Sequence, residues 1–138
     1  MATIRPFKGF RPTPELCSKV AALPYDVMTS KEAREMVKND PYSFLHVDRA
    51  EIDLPENVDI YSKEVYEKAA SNLNKMIEDK VLIQDSKPVF YIYSLTMNGR
   101  EQIGLVVCTS IDEYLNNTIK KHEFTRADKE QDRINHVD

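Results

Sequence analysis

The chain has no tryptophan, three glycines, two cysteines and three histidines in its 138 residues, and each shortage removes a class of chemistry. Glycine-poor sequence leaves few places for a loop that wraps a phosphate. Gly99 and Gly104 have the four-residue gap of a P-loop, but Leu105 and Val106 stand where Lys and Ser or Thr are required, and no G-x-G-x-x-G occurs. Cys17 and Cys108 lie far apart and form no C-x-x-C, which predicts a reduced pair behaving as core residues, not a disulfide or zinc site. His122-Glu123 opens like the zinc-protease pattern H-E-x-x-H, yet Arg126 occupies the fifth position. No serine sits in a G-x-S-x-G setting, so a Ser-His-Asp hydrolase has no support, and Cys-His catalysis has none either.

Long apolar runs are also lacking. No stretch reaches the length of a membrane span, and the start M-A-T-I-R-P-F-K has no signal-peptide core, which points to the cytoplasm and away from a membrane partner. Without a secretion signal, the glycosylation pattern Asn116-Asn117-Thr118 carries no meaning. Nor is there an excess of positive charge: 19 Lys and Arg face 23 Asp and Glu, and the net charge of −4 argues against a nonspecific grip on nucleic acid. What remains is 41% apolar and 30% charged, the balance of an ordinary globular domain.

Local signals predict an α+β fold: an antiparallel or mixed sheet centred on a hairpin over 88–111, packed by two or three helices. Ile4 to Pro12 alternates apolar and basic residues but contains prolines, which suits an edge strand or extended arm. Thr13 caps a short helix with Pro14 at its first position, running through Leu16, Val20 and Ala21, and Thr29 with Glu32 makes a capping box for another, to about Asn39. Tyr42 to Val47 reads as a strand and Asp48 to Asp59 as a polar loop. From Ile60 to Lys80, Tyr61, Val65, Ala69, Leu73, Met76 and Ile77 form one stripe at helical steps. Asn98-Gly99 suits a type I′ turn; it pairs Ile92 with Leu105, Phe90 with Val107 and Tyr93 with Gly104. Both faces of that hairpin are apolar, so it is expected to be covered on both sides and to form the core. Ile111 to Leu115 suits a helical turn.

Eleven of the eighteen residues from Lys121 to Asp138 are ionisable. On a helix capped by Thr125, residues Lys129, Arg133 and His136 share a face, with Arg126 close to it, a pattern suited to phosphate or carboxylate. Glu123, Glu130 and Asp132 are acids suited to a general base or to magnesium. The competing reading is a solvated helix laced by pairs such as Arg126 with Glu130 and Asp132 with His136. Two residues elsewhere stand out: Asp26 in the loop Pro24-Tyr25-Asp26-Val27 is either functional or a turn residue, and His46 reads as a hydrogen-bonded core histidine. So polar a terminal helix predicts a chain cut short: a domain over 1–120, then 121–138 as the start of a second part.

Four blocks occur in order: Ile4-Arg5-Pro6-Phe7; Pro24-Tyr25-Asp26-Val27; Pro41-Tyr42-Ser43-Phe44-Leu45-His46-Val47; and Lys121-His122-Glu123-x-Thr125 with Lys129-Glu130-x-Asp132-Arg133-x-x-His136. Together they resemble the bacterial and archaeal domain of unknown function 1015 family. Its members are longer and carry, further on, a D-G-H-H-R motif like that of the ParB/sulfiredoxin-type fold; this sequence lacks it. That fold group includes partition proteins that hydrolyse CTP, sulfiredoxins that use ATP and free-serine kinases. The resemblance thus implies an N-terminal part, inactive alone, of a nucleotide-dependent small-molecule kinase or phosphotransferase that uses ADP or ATP with magnesium. Glu123, Asp132 and His122 would be its catalytic residues. Arg126, Lys129, Arg133, His136 and Asp26 would hold phosphate or nucleotide, with no resident metal site. The alternative is a non-enzymatic, ParB-like regulatory or binding module.

Overall fold

The computed structural model describes residues 2–120 and 126–137, with Asp128 described through its backbone only. In chain order the elements are β1 (Ile4–Arg5), β2 (Phe10–Pro12), α1 (Cys17–Val20), α2 (Ser30–Val37), α3 (Leu45–Asp48), a 3-10 turn (Ala50–Asp53), α4 (Lys63–Glu78), β3 (Leu82–Gln84), β4 (Tyr91–Met97), β5 (Arg100–Val106), β6 (Cys108–Thr109), α5 (Ile111–Leu115) and α6 (Ala127–Val137). The class is α+β. The strands pair two by two, β1 with β6, β2 with β3 and β4 with β5. Among the described residues no helix is long and apolar enough to cross a membrane.

Two compact units divide the chain: Met1–Phe10 with Gln84–Phe124, and Arg11–Ile83 with Thr125–Asp138. The first holds the hairpin. Asn98 (φ 52°) and Gly99 (φ 75°) both take the left-handed conformation that a type I′ turn needs, and the ladder pairs Ile92 with Leu105 and Tyr93 with Gly104 as the turn predicts. The ladder begins at Tyr91 and Val106, one step short of the expected Phe90–Val107 pair. Gly9 lies under the Tyr91 ring: a Cβ there would sit 2.8 Å from the phenolic oxygen, which instead accepts the Gly9 N–H at 2.6 Å and donates to Asp85 at 2.6 Å. The expectation that this hairpin forms the core is corrected. Ile92 is 76% exposed and Ile103 69% exposed, and no buried residue belongs to β4 or β5.

The core lies in the second unit, in three apolar clusters. Val20, Val47, Met76, Val81 and Leu82 form one; Ala33, Val37, Leu45 and Ile52 a second; Ala50, Val65 and Ala69 a third. Burial of a side chain the size of Leu45 is worth about 2 kcal/mol. α4 supplies the first and third clusters from the predicted stripe, although Tyr61 precedes the helix and stays exposed. α2 has both halves of its capping box: Thr29 accepts from the Glu32 N–H, and Glu32 accepts from the Thr29 N–H at 2.8 Å. Those bonds hold the Glu32 carboxyl below its ordinary range.

Four other local expectations are corrected here. Tyr42–Val47 is not a strand: Asp40 accepts from the Tyr42 and Ser43 N–H groups, turning the chain into α3, so that Leu45 and Val47 enter different clusters. The polar loop after Asp48 winds into a 3-10 turn with Ala50, Glu51 and Ile52 buried, because Arg34 donates to the Glu51, Ile52 and Leu54 carbonyls. The short helix expected to start at Thr13 and Pro14 begins instead at Cys17, with Leu16 and not Thr13 at its N-cap. Cys17 and Cys108 are free but exposed, not core residues. His46 does behave as a hydrogen-bonded histidine, with Nδ1 on Asp53 at 2.8 Å and Nε2 on the Asp40 carbonyl at 3.2 Å.

Candidate functional site

Within the second unit, one face of α6 closes a small cavity of about 50 Å³. Its walls include Lys129, Asp132, Arg133 and His136 from α6, Asp48 and Arg49 at the end of α3, Glu51 from the 3-10 turn, and Tyr25 from the loop before α2. The helical period predicts that Lys129, Arg133 and His136 lie together, and they do. The elements facing them are set by packing.

Arg49 positions the loop. Its Nη1 donates to the Tyr25 carbonyl at 2.9 Å and the Met28 carbonyl at 3.2 Å, its Nη2 to Ser30 Oγ at 2.8 Å, and its Nε to Glu51 at 2.8 Å. Ser30 also donates to Glu51 at 2.8 Å, which leaves the buried Glu51 carboxylate paired. Tyr25 thus presents its ring to α6. The Arg133 guanidinium carbon lies 3.9 Å from the ring centroid and Lys129 Nζ 5.7 Å from it, both within cation–π range.

Asp132 organises the other side. It is 8% exposed; Tyr66 on α4 donates to its Oδ1 at 3.0 Å and Arg133 Nη2 to its Oδ2 at 3.2 Å. Burial, opposed by a hydrogen bond from Asn135 and reinforced by Asp132, holds the Tyr66 phenol above its ordinary range. His136 packs edge-on against the Tyr66 ring, with centroids 4.8 Å apart. Its Nδ1 lies 2.9 Å from the Asp132 carbonyl oxygen, an acceptor, so Nδ1 carries a proton, and the tautomer with that proton has its lone pair at Nε2.

Two polar atoms here lack partners. Arg133 Nε and His136 Nε2 are both buried with no hydrogen bond among the described residues, an expensive state that a ligand would relieve. The lining is balanced in charge, with Asp48, Glu51 and Asp132 against Arg49, Lys129 and Arg133. The loosest pairing is Asp48 with Arg133 Nη1, at 3.7 Å. Burial pushes the Asp48 carboxyl above its ordinary 3.8, against the pull of Arg133 and His136. An arriving anion therefore competes with Asp48, whose contact with Arg133 is the longest of the three acids' pairings.

The family model described as "Protein of unknown function (DUF1015)" matches residues 4–138, nearly the whole chain. The chain belongs to the DUF1015 family. No curated protein and no solved structure matches it. In this DUF1015 chain the expected site residues divide into three groups. Lys129, Asp132, Arg133 and His136 converge. Asp26 and Arg126 are exposed and do not line the cavity. His122 and Glu123 lie outside the described residues.

Tyr25, Asp48, Arg49, Glu51 and Tyr66 belong to the site without having been singled out by sequence reasoning. Tyr25 is in one of the family blocks, and Asp48-Arg49 directly follows another. Nothing in local sequence marks Tyr66, which sits beside the apolar stripe of α4.

Proposed function

We propose that this face of the DUF1015 chain binds the phosphates of a nucleotide and serves phosphoryl transfer to a hydroxyl of a small molecule. The observation that carries the reading is Arg133 Nε, a buried cationic donor without a partner beside Lys129. A phosphate oxygen is the acceptor best matched to a guanidinium edge. In the transfer, the acceptor oxygen bonds to phosphorus while the bridging P–O bond to the departing nucleotide breaks, and the hydroxyl proton passes to a base. His136 Nε2 suits that base through its free lone pair, and Glu123 is the acid assigned there by resemblance. Lys129 and Arg133 stabilise the charge on the transferring group. Asp132, with an oxygen on Tyr66 and the other on Arg133, positions Arg133 and His136.

The relation to CTP-hydrolysing partition proteins, ATP-using sulfiredoxins and free-serine kinases, implied by resemblance, supports the choice of a nucleotide; the side chains support anion binding. Among the described residues no three His, Cys, Asp or Glu groups come together as a metal site would require. Magnesium in this reading arrives on the nucleotide phosphates, the common way for that ion to be held. A module that grips DNA through this face would need a cationic surplus that the balanced lining does not supply.

Thermal unfolding with ATP, ADP and CTP, with and without magnesium, tests the reading. A nucleotide at about a hundred times its Kd stabilises by about 2.7 kcal/mol, a rise of several degrees. If no nucleotide raises the midpoint in either condition, the proposal fails.

A further inference from the structure

A second, larger cleft of about 630 Å³ adjoins His136 in the same unit, walled by Tyr61, Tyr66, Ala70, Asn135 and His136 among others. It shares Tyr61 and His136 with the cavity that Arg133 and Lys129 line. The two linings differ in kind. Charged groups make up most of the small cavity, which also has Ile60 and Val65; the large cleft offers two phenol rings, a methyl group and one carboxamide, together with Lys63 and Glu67, which pair with each other at 2.7 Å.

Two phenol rings beside one amide suit a planar heteroaromatic ring, which needs faces to stack on and a donor and acceptor for its edge, and the Lys63–Glu67 pair leaves neither charge in need of a ligand. The Tyr66 ring is fixed by its hydroxyl on Asp132, while Tyr61 is 53% exposed and has surface that a stacked ring would cover. Asn135 accepts from Gln131 at 2.9 Å, and its amide reaches the Tyr66 oxygen only at 3.5 Å, which leaves N–H capacity for a ligand. The volume lies in the range of pockets that enclose a nucleoside-sized ligand.

We infer that this cleft takes the base of the nucleotide, with the sugar passing His136 and the phosphates reaching Arg133 and Lys129. The inference rests on the nucleotide reading above and adds where selectivity for the base resides. Ala70 and Asn135 are then determinants that line the cleft and not the small cavity, while Tyr61 borders both.

Titration of the chain with pyrophosphate and with ADP, GDP, CDP and UDP, all with magnesium, separates the two claims. The base cleft predicts that at least one nucleoside diphosphate binds about ten-fold or more tighter than pyrophosphate, the range expected of one stacked base. Ala70→Leu, which fills the cleft from an exposed helix position outside the small cavity, should bring that nucleotide down to the pyrophosphate level and leave pyrophosphate unchanged. If no nucleotide exceeds pyrophosphate, or if Ala70→Leu leaves the preferred nucleotide unaffected, the base cleft is refuted while the anion site stands. If neither pyrophosphate nor any nucleotide binds, the underlying phosphate reading falls, and the cleft assignment falls with it.

Discussion

Arg133 on α6 places its guanidinium carbon 3.9 Å from the ring centroid of Tyr25, a residue of the loop before α2. Lys129 uses the same ring, so one aromatic residue orients both cations of the candidate phosphate site. Tyr25→Ala is expected to destabilise the second unit by about 1 kcal/mol and to weaken phosphate binding several-fold. Tyr25→Phe keeps the ring and should behave like the parent chain. Urea unfolding and pyrophosphate titration of both variants check this.

Asp132 joins three partners in one buried place: Tyr66, Arg133 and, through its carbonyl, His136. Removing the carboxylate strands a phenol and leaves Arg133 with the looser Asp48 contact. Asp132→Ala should cost about 3 kcal/mol. Asp132→Asn, which still accepts from Tyr66, should cost less than Asp132→Ala in chemical denaturation; equal costs would mean that the Tyr66 bond contributes nothing.

Asp48 supplies a pH dependence whose sign follows from its raised carboxyl. Just above the ordinary aspartate value of 3.8, the folded chain binds more protons than the unfolded one, so Asp48 adds stability as pH falls through that window and loses it as pH rises. Protonation also removes the competitor for Arg133. Phosphate binding should therefore tighten as pH falls toward the raised value, and Asp48→Asn should bind more tightly at neutral pH with a flatter profile. Titrations of pyrophosphate with the parent chain and with Asp48→Asn at a series of pH values from just above 3.8 to neutrality check both points.

Gly99 occupies a positive φ of 75° with open space where a Cβ would stand. Gly99→Ala should therefore cost about 1 kcal/mol through backbone conformation alone, with no steric clash. Gly99→Asn, which tolerates that conformation, should cost less. Thermal unfolding of the two variants measures the difference.

Features decided within a few residues were legible in sequence. Thr29 and Glu32 cap α2 because both groups lie three residues apart, and Asn98-Gly99 sets the hairpin register because only certain residues take both turn positions. Tyr42–Val47 was not, since its apolar residues serve two clusters on a one-turn helix and show neither period cleanly. Apolar content alone also overstated the hairpin, whose side chains are exposed while the helices hold the core. In the site, the shared face of Lys129, Arg133 and His136 follows from helical spacing. Tyr25, Asp48 and Tyr66 come from three other elements, and only tertiary packing decides which of those face α6. Asp26 draws notice as a carboxylate, yet its neighbour Tyr25 is the residue that enters.

The central claim is that Arg133 Nε awaits a phosphate oxygen, and the Nε–H resonance of Arg133 in a nitrogen-proton NMR titration with magnesium nucleotide reports on that atom directly. Saturable nucleotide binding that shifts this resonance downfield and slows its exchange with water, with Lys129→Ala weakening the effect about ten-fold, is the predicted result. Nucleotide binding that leaves the Arg133 Nε–H resonance unmoved, or no binding at millimolar nucleotide, would contradict it.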